Sequence, residues 1–209
     1  MRKKLIAAFI VALVIVGGYF SYLKYQDYKF TESITPHVKN SSLRITNEIH
    51  LLLAKESNMT FGEAFQKLEA DISEIDKQSL EIQSITNSNT QSKADPVLAY
   101  LQGGQEMLRA MLSMYRKRLA LQSALEATDK SIEDIKQSTE SYEIKYASKR
   151  ADEAIAEQKK ASEELTEANS GLLKSVKKME ALRSKAELVV SEDALVSVAD
   201  FKSVVKSYE

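Results

Sequence analysis

The stretch from Thr60 to Ile82 reads TFGEAFQKLEADISEIDKQSLEI, and its pattern sets how the rest of the chain is read. Thr60 and Glu63 have the spacing of a capping box, in which the threonine oxygen takes the amide three residues on and the glutamate reaches back. Phe61, Leu68, Ile75 and Ile82 then recur every seven residues, with Phe65 and Ile72 between them. That period is the seam of a helix packed on another helix.

Working outward, the same grammar continues. Asn87-Ser88-Asn89-Thr90-Gln91-Ser92 is a polar loop, and Asp95-Pro96 reads as the N-cap and first residue of a new helix. Leu98, Leu101, Leu108, Leu112, Tyr115 and Leu119 follow at spacings of three, four and seven. Near Leu121 and Leu125 the phase slips by three residues before Thr128, Ile132, Ile135, Thr139, Tyr142 and Tyr146 resume it, so a bend or a new start is predicted at Thr128-Asp129. From Ala147 to Ala168 the seam is mostly alanine (Ala147, Ala151, Ala154, Ala161, Ala168), which predicts a thin, closely packed helix pair or a weakly buried helix. Asn169-Ser170-Gly171 is a predicted interruption, and Ser191-Glu192-Asp193 a predicted cap for a last short helix. On the N-terminal side, Thr35-Pro36 opens a helix carrying Val38, Ile45, Ile49, Leu52 and Leu53.

No proline follows Pro96, and an unbroken helix from there to Val190 would reach roughly 140 Å. Compact bundles fold such a run back on itself, so two or three long helices are expected in it. Residues 61–95 carry seven acids against three bases, whereas Arg109, Arg116, Lys117 and Arg118 make the following segment basic, as an antiparallel hairpin would require.

The chain's beginning has a different character. Arg2, Lys3 and Lys4 precede an uncharged apolar run from Leu5 to Leu23, which ends at Lys24. Nineteen helical residues span roughly 28 Å, close to the thickness of a bilayer's hydrocarbon core. The charge asymmetry predicts an N-terminus in the cytoplasm and the bulk of the chain outside. Tyr19, Phe20, Tyr22, Tyr25 and Tyr28 crowd the outer end as an interfacial aromatic belt in contact with membrane lipid. The run exceeds an ordinary signal-peptide core and offers only Val16-Gly17-Gly18 as a cleavage site, which favours an uncleaved anchor.

The fold class expected is therefore all-α: one N-terminal transmembrane helix followed by an elongated up-down helical bundle or coiled coil of four to five helices. The domain reading is a cytoplasmic tail at 1–4, a signal anchor at 5–23, a juxtamembrane segment at 24–35 and an extracytoplasmic bundle at 36–209.

Chemistry-bearing patterns are scarce. With 44% hydrophobic and 28% charged residues the composition is that of a globular chain, not of a disordered one. There is no cysteine, so disulfides, thiolate metal sites and cysteine nucleophiles are excluded. His37 and His50, thirteen residues apart on one helix, would stand about 20 Å apart, too far to share a metal. No phosphate-binding glycine loop, nucleophile elbow or calcium loop is spelled out. A net charge of −1 argues against nucleic acid as a partner. No enzymatic activity, catalytic residue, cofactor or metal is expected.

One segment stands out as a candidate partner or ligand surface. Gly103 and Gly104 interrupt a strong helix pattern, and Met107, Met111 and Met114 form a second apolar stripe just beyond. The expected function is a non-enzymatic scaffold or interaction subunit of a cell-envelope assembly, single-pass in the cytoplasmic (inner) membrane with its bundle in the periplasm or outside the cell. Its partners would be envelope proteins or a second copy of itself. The alternatives are an extracytoplasmic ligand-binding sensor bundle that signals through a partner, and a membrane-perturbing factor that bridges envelope layers.

Overall fold

In the computed structural model the described residues fold into five α-helices and one 3-10 turn: α1 (Arg2–Leu53), α2 (Phe61–Ile85), α3 (Gln91–Gln137), α4 (Ser141–Ala186), the turn Glu192–Ala194, and α5 (Val198–Tyr208). The structure describes all residues but 1, 55–58, 139 and 209, and the side chains from residue 16 onward in α1. No strand occurs among the described residues.

Consecutive helices run up and down. The capping box that opens α2 is formed: the Glu63 amide donates to Thr60 Oγ1 at 3.3 Å, and the Thr60 amide donates to Glu63 Oε2 at 2.8 Å. Leu68, Ile75 and Ile82 of the heptad are fully buried, with Phe65 and Ile72 packed on the rim of the same core. Between α2 and α3 the side chain of Asn87 accepts from the amides of Asn89 (2.9 Å) and Thr90 (3.2 Å), a local turn that reverses the chain. Its end of the bundle is fixed beside α1 by Lys93 and Asp27, 3.0 Å apart.

Four expected breaks prove to be continuous helix. Pro36 lies inside α1, not at its start, and Pro96 lies inside α3, which begins at Gln91 after Thr90. An interior proline forfeits one backbone bond at about 3 kcal/mol. Ile34 and Val38 around Pro36, and Ala94 and Val97 around Pro96, are buried and hold each helix on course. Asn169-Ser170-Gly171 is likewise helical within α4, and Gly171 faces open space. The slip at Thr128-Asp129 does not interrupt α3 either. Up to Tyr115 this helix packs in the common core; beyond it α4 alone supplies a seam, so the apolar phase changes because the neighbours change.

The real reversal comes at 138–140, between α3 and α4, without glycine or proline. The Ser138 amide bonds back to the carbonyls of Asp134 (3.1 Å) and Ile135 (3.3 Å), and the chain turns to extended geometry at Ser138 and Glu140. Tyr142 and Tyr146, expected to prolong the α3 seam, therefore sit on α4 and are exposed. At the C-terminal end the single short helix expected after Ser191 is divided into the 3-10 turn and α5. Ser197 caps α5, accepting from the Asp200 amide at 3.1 Å, and Phe201 and Val204 complete the core.

The core lies in the middle of the long axis. Among the described residues Phe30 is the first buried one of α1, and the helix before Gln26, which still meets Asn89, runs on for about 36 Å as an arm at one end. At the other end α3 and α4 outrun α1, α2 and α5 together. From about residue 119 to 164 they form a two-helix hairpin that projects roughly 30 Å.

Candidate interaction surfaces

On the arm, Tyr19, Phe20, Tyr22, Tyr25 and Tyr28 are each 57–64% exposed, and Lys24 beside them is exposed. A helix turns about 100° per residue, so three-residue steps walk back by about 60° each. Tyr19 and Tyr28 thus point in opposite directions, and Phe20 fills the remaining sector. The five rings form a girdle around the helix, not a stripe along one face. Such a distribution suits an isotropic neighbour such as a lipid interface better than a single packed helix. Among the described residues no helix is long and apolar enough to cross a membrane. Of the predicted span 5–23, residues 5–15 lie outside those whose side chains are described, as do the flanking Arg2, Lys3 and Lys4.

The residues expected to offer a partner or ligand surface do not do so. Gly103, Gly104, Met107, Met111 and Met114 are all buried inside the bundle. A β-carbon on Gly103 would come within 2.7 Å of Leu182 Cδ1 of α4, and one on Gly104 within 2.4 Å of Ile45 Cδ1 of α1. The glycines let three helices approach closely, and the methionines fill the space beyond them. The wide apolar face of α3 is thus largely covered by its own neighbours, and Met114 at its end also lines an open cleft of about 600 Å³ with Leu52, Leu53, Arg118, Leu165 and Tyr208.

Buried polar groups cluster around this core instead. Tyr100, fully buried, pairs through its hydroxyl with Ser42 Oγ at 2.9 Å and accepts from the Val196 amide at 3.0 Å. Burial pushes its phenol above the ordinary range. Arg183, 3% exposed, donates from Nε to the Val196 carbonyl (2.8 Å) and reaches Glu187 (2.8 Å) and Glu192 (3.2 Å). Between α1 and α2, Arg44 pairs with Asp71 at 2.6 Å and Lys67 with Glu48, both acids being buried. Burial raises the Glu48 carboxyl above its usual range, Lys67 opposes the shift, and the nearby Asp71 adds to it. Tyr115, shielded at the upper rim, is pushed up to about 12. These groups bind helices to each other. Glu48 and Tyr115 also line a cleft of about 260 Å³ together with Leu51, Thr60, Phe61 and Arg118.

The histidines go to separate partners, His37 to Gln78 (2.6 Å) and Glu81 (2.9 Å), and His50 to Asp200 (3.1 Å). No group of three potential metal ligands is found among the described residues.

The hairpin carries the other large exposed apolar set. Its seam is built largely from small residues: Ala147, Ala151 and Ala154 of α4 and Thr128 of α3 are buried. The register is set by Lys117 with Glu164 (2.7 Å) and Asp134 with Arg150 (3.4 Å). Lys117 holds the Glu164 carboxyl below its usual range. A seam this thin covers little, and Leu125, Ile132, Ile144 and Ile155 are left 40–50% exposed. Near the tip an open cleft of about 580 Å³ is lined by Asp134, Gln137, Ser138, Tyr142, Glu143, Tyr146 and Arg150, with the Arg150 guanidinium 5.7 Å from the Tyr146 ring centre. Sequence reasoning missed this surface because it assigned Ile132, Tyr142 and Tyr146 to one continuous seam. The run Lys136-Gln137-Ser138-Thr139-Glu140-Ser141, as polar as the 87–92 loop, was the signal for the reversal. No family model, curated protein or solved structure matches the chain.

Proposed function

We propose that this chain is a single-pass, N-in protein of the cytoplasmic membrane that acts as a non-enzymatic scaffold or interaction subunit of a cell-envelope assembly. The observation that carries the reading is the placement of its two exposed apolar regions at opposite ends of one rod. The aromatic girdle lies on the arm, beside the apolar N-terminal run, while the hairpin's aliphatic and aromatic residues lie at the far end. Because α1 is one helix from Arg2 to Leu53, the arm and the bundle share an axis, and the hairpin is held away from whatever the arm enters. The buried polar pairs of the interior, Arg44 with Asp71 and Lys67 with Glu48, join one helix to another.

A ligand-binding sensor is the weaker reading, because the space beside Gly103 and Gly104 is filled by Leu182, Ile45 and Met179. The test is twofold. Alkaline extraction of membranes from cells making the full chain should leave it in the pellet, and release into the supernatant would sink the anchor. Crosslinking in those membranes followed by mass spectrometry should recover adducts on residues 119–164. Adducts confined to the 30–118 region would sink the scaffold reading.

A further inference from the structure

The projecting hairpin has two unlike sides. Take the direction from each helix towards its seam as the reference and turn about 100° per residue. Leu125 and Ile132 of α3 then lie roughly 60–80° to one side, and Ile144 and Ile155 of α4 lie roughly 60–80° round in the same rotational sense. Since the two helices run antiparallel, equal rotation brings all four onto one side of the hairpin. The register set by Lys117–Glu164 and Asp134–Arg150 orders them along it as Leu125, Ile155, Ile132 and Ile144. They form an aliphatic strip about 20 Å long. Each is 40–50% exposed, and among the described residues no other helix of the chain covers them.

Charges on the shoulder of that strip identify what fits it. Asp129 and Lys136 lie seven residues apart on the outer edge of α3, on either side of Ile132. Asp152 lies on the outer edge of α4, level with Asp129. Lay a second copy on the strip with its hairpin reversed and the two-fold axis beside Ile132. Each Ile155 then meets the Ile144 of the other copy, each Asp129 meets a Lys136, and the two Ile132 side chains meet at the axis. One centre satisfies the aliphatic pairs on α4 and the charge pairs on α3 together. A parallel copy is disfavoured, because it sets α3 against the other chain's α4 at equal height and brings Asp129 against Asp152. The face measures about 600 Å² per copy, so the contact is near the lower limit of specific interfaces and forms reversibly. We propose that the aliphatic side of the α3–α4 hairpin binds a second copy of this chain, antiparallel, about a two-fold axis at Ile132. This pairing is independent of whether the arm enters a membrane.

The absence of cysteine makes single-cysteine crosslinking of the full chain in detergent micelles a clean test. Ile132→Cys alone should give a disulfide-linked dimer on mild oxidation. Tagged Ile155→Cys mixed with Ile144→Cys should give the mixed dimer and little of either homodimer. Asp129→Lys should weaken the dimer about tenfold in sedimentation equilibrium, and adding Lys136→Asp to it should restore the affinity to within about threefold. The double exchange controls for loss of folding, and helicity by circular dichroism checks each variant. A wild-type chain that sediments as a monomer up to about 100 µM, far above the affinity of a specific complex, overturns the proposal. So does an Ile132→Cys chain that stays uncrosslinked while Leu125→Cys, away from the axis, crosslinks.

Discussion

The hydroxyl of Tyr100, on α3, accepts the backbone N–H of Val196 at 3.0 Å, joining the middle of the bundle to the segment that leads into α5. Ser42 of α1 shares the same hydroxyl at 2.9 Å, so one buried side chain ties together three parts of the chain remote in sequence. Tyr100→Phe keeps the ring but leaves the Val196 amide and the Ser42 hydroxyl without that partner. The expected loss is about 1–3 kcal/mol in denaturant unfolding, the cost of an unsatisfied buried donor. A loss below about 0.5 kcal/mol would mean that the hydroxyl contributes nothing to the closure.

Arg183 closes the same segment from α4. Its partners Glu187 and Glu192 are 40% and 75% exposed, so the ion pairs themselves are weak. The Val196 carbonyl is the contact that matters, because its environment is dry. Arg183→Met should destabilise the protein by about 1–3 kcal/mol, whereas Glu192→Gln should change stability by less than about 1 kcal/mol. Equal effects of the two substitutions would place the energy in the ion pair instead.

The burial of Glu48 gives the fold a pH dependence. Burial raises its carboxyl above the ordinary value of 4.5 in the folded chain. The folded state therefore favours the protonated form, and the stability tied to Glu48 is present below the unfolded value and lost as pH rises through the folded one. Glu48→Gln removes the titration while preserving shape. The stability of the native chain minus that of the variant should fall as pH rises above the ordinary carboxyl value of 4.5, as read from chemical denaturation at several pH values. A difference that stays constant or grows with pH would contradict the assignment.

The two adjacent glycines should respond differently to alanine. At Gly103 the obstructing atom is the end of Leu182, a side chain on the rim of the core that can move. At Gly104 it is the end of fully buried Ile45, with Met179 also at 3.4 Å. Alanine gains about 1 kcal/mol of helix propensity at either site, while overpacking costs about 1–3 kcal/mol where neighbours cannot yield. Gly103→Ala should be close to neutral and Gly104→Ala destabilising by up to about 2 kcal/mol, judged by thermal unfolding. The reverse order would contradict the packing assigned to them.

How far the fold could be read from residues depended on what opposed each local signal. The start of α2 was legible because Thr60, Glu63 and the heptad at Leu68, Ile75 and Ile82 agree, and nothing in the tertiary structure overrides them. Pro36 and Pro96 misled because the penalty of an interior proline is local, whereas the burial of Ile34, Val38, Ala94 and Val97 is not. The reversal at 138–140 escaped notice because hydrogen bonds of Ser138 and extended backbone make it, not the residues that usually punctuate helices. Gly103, Gly104 and the methionines were recognisable as unusual. Whether a methionine stripe faces a neighbour or an open groove is decided by the other helices, which a periodicity does not contain.

The matched register of α3 and α4 has one more consequence, for length. Lys117 faces Glu164, and seventeen residues further along α3 Asp134 faces Arg150, fourteen residues back along α4. The two strands of the hairpin thus advance almost in step, with a seam repeating at the helical period. Removing seven residues from each at the same height would shorten the projection by about 10 Å and restore the same seam. The hairpin is in that sense a ruler graduated in heptads, and its reach can be reset without redesigning the body that carries it.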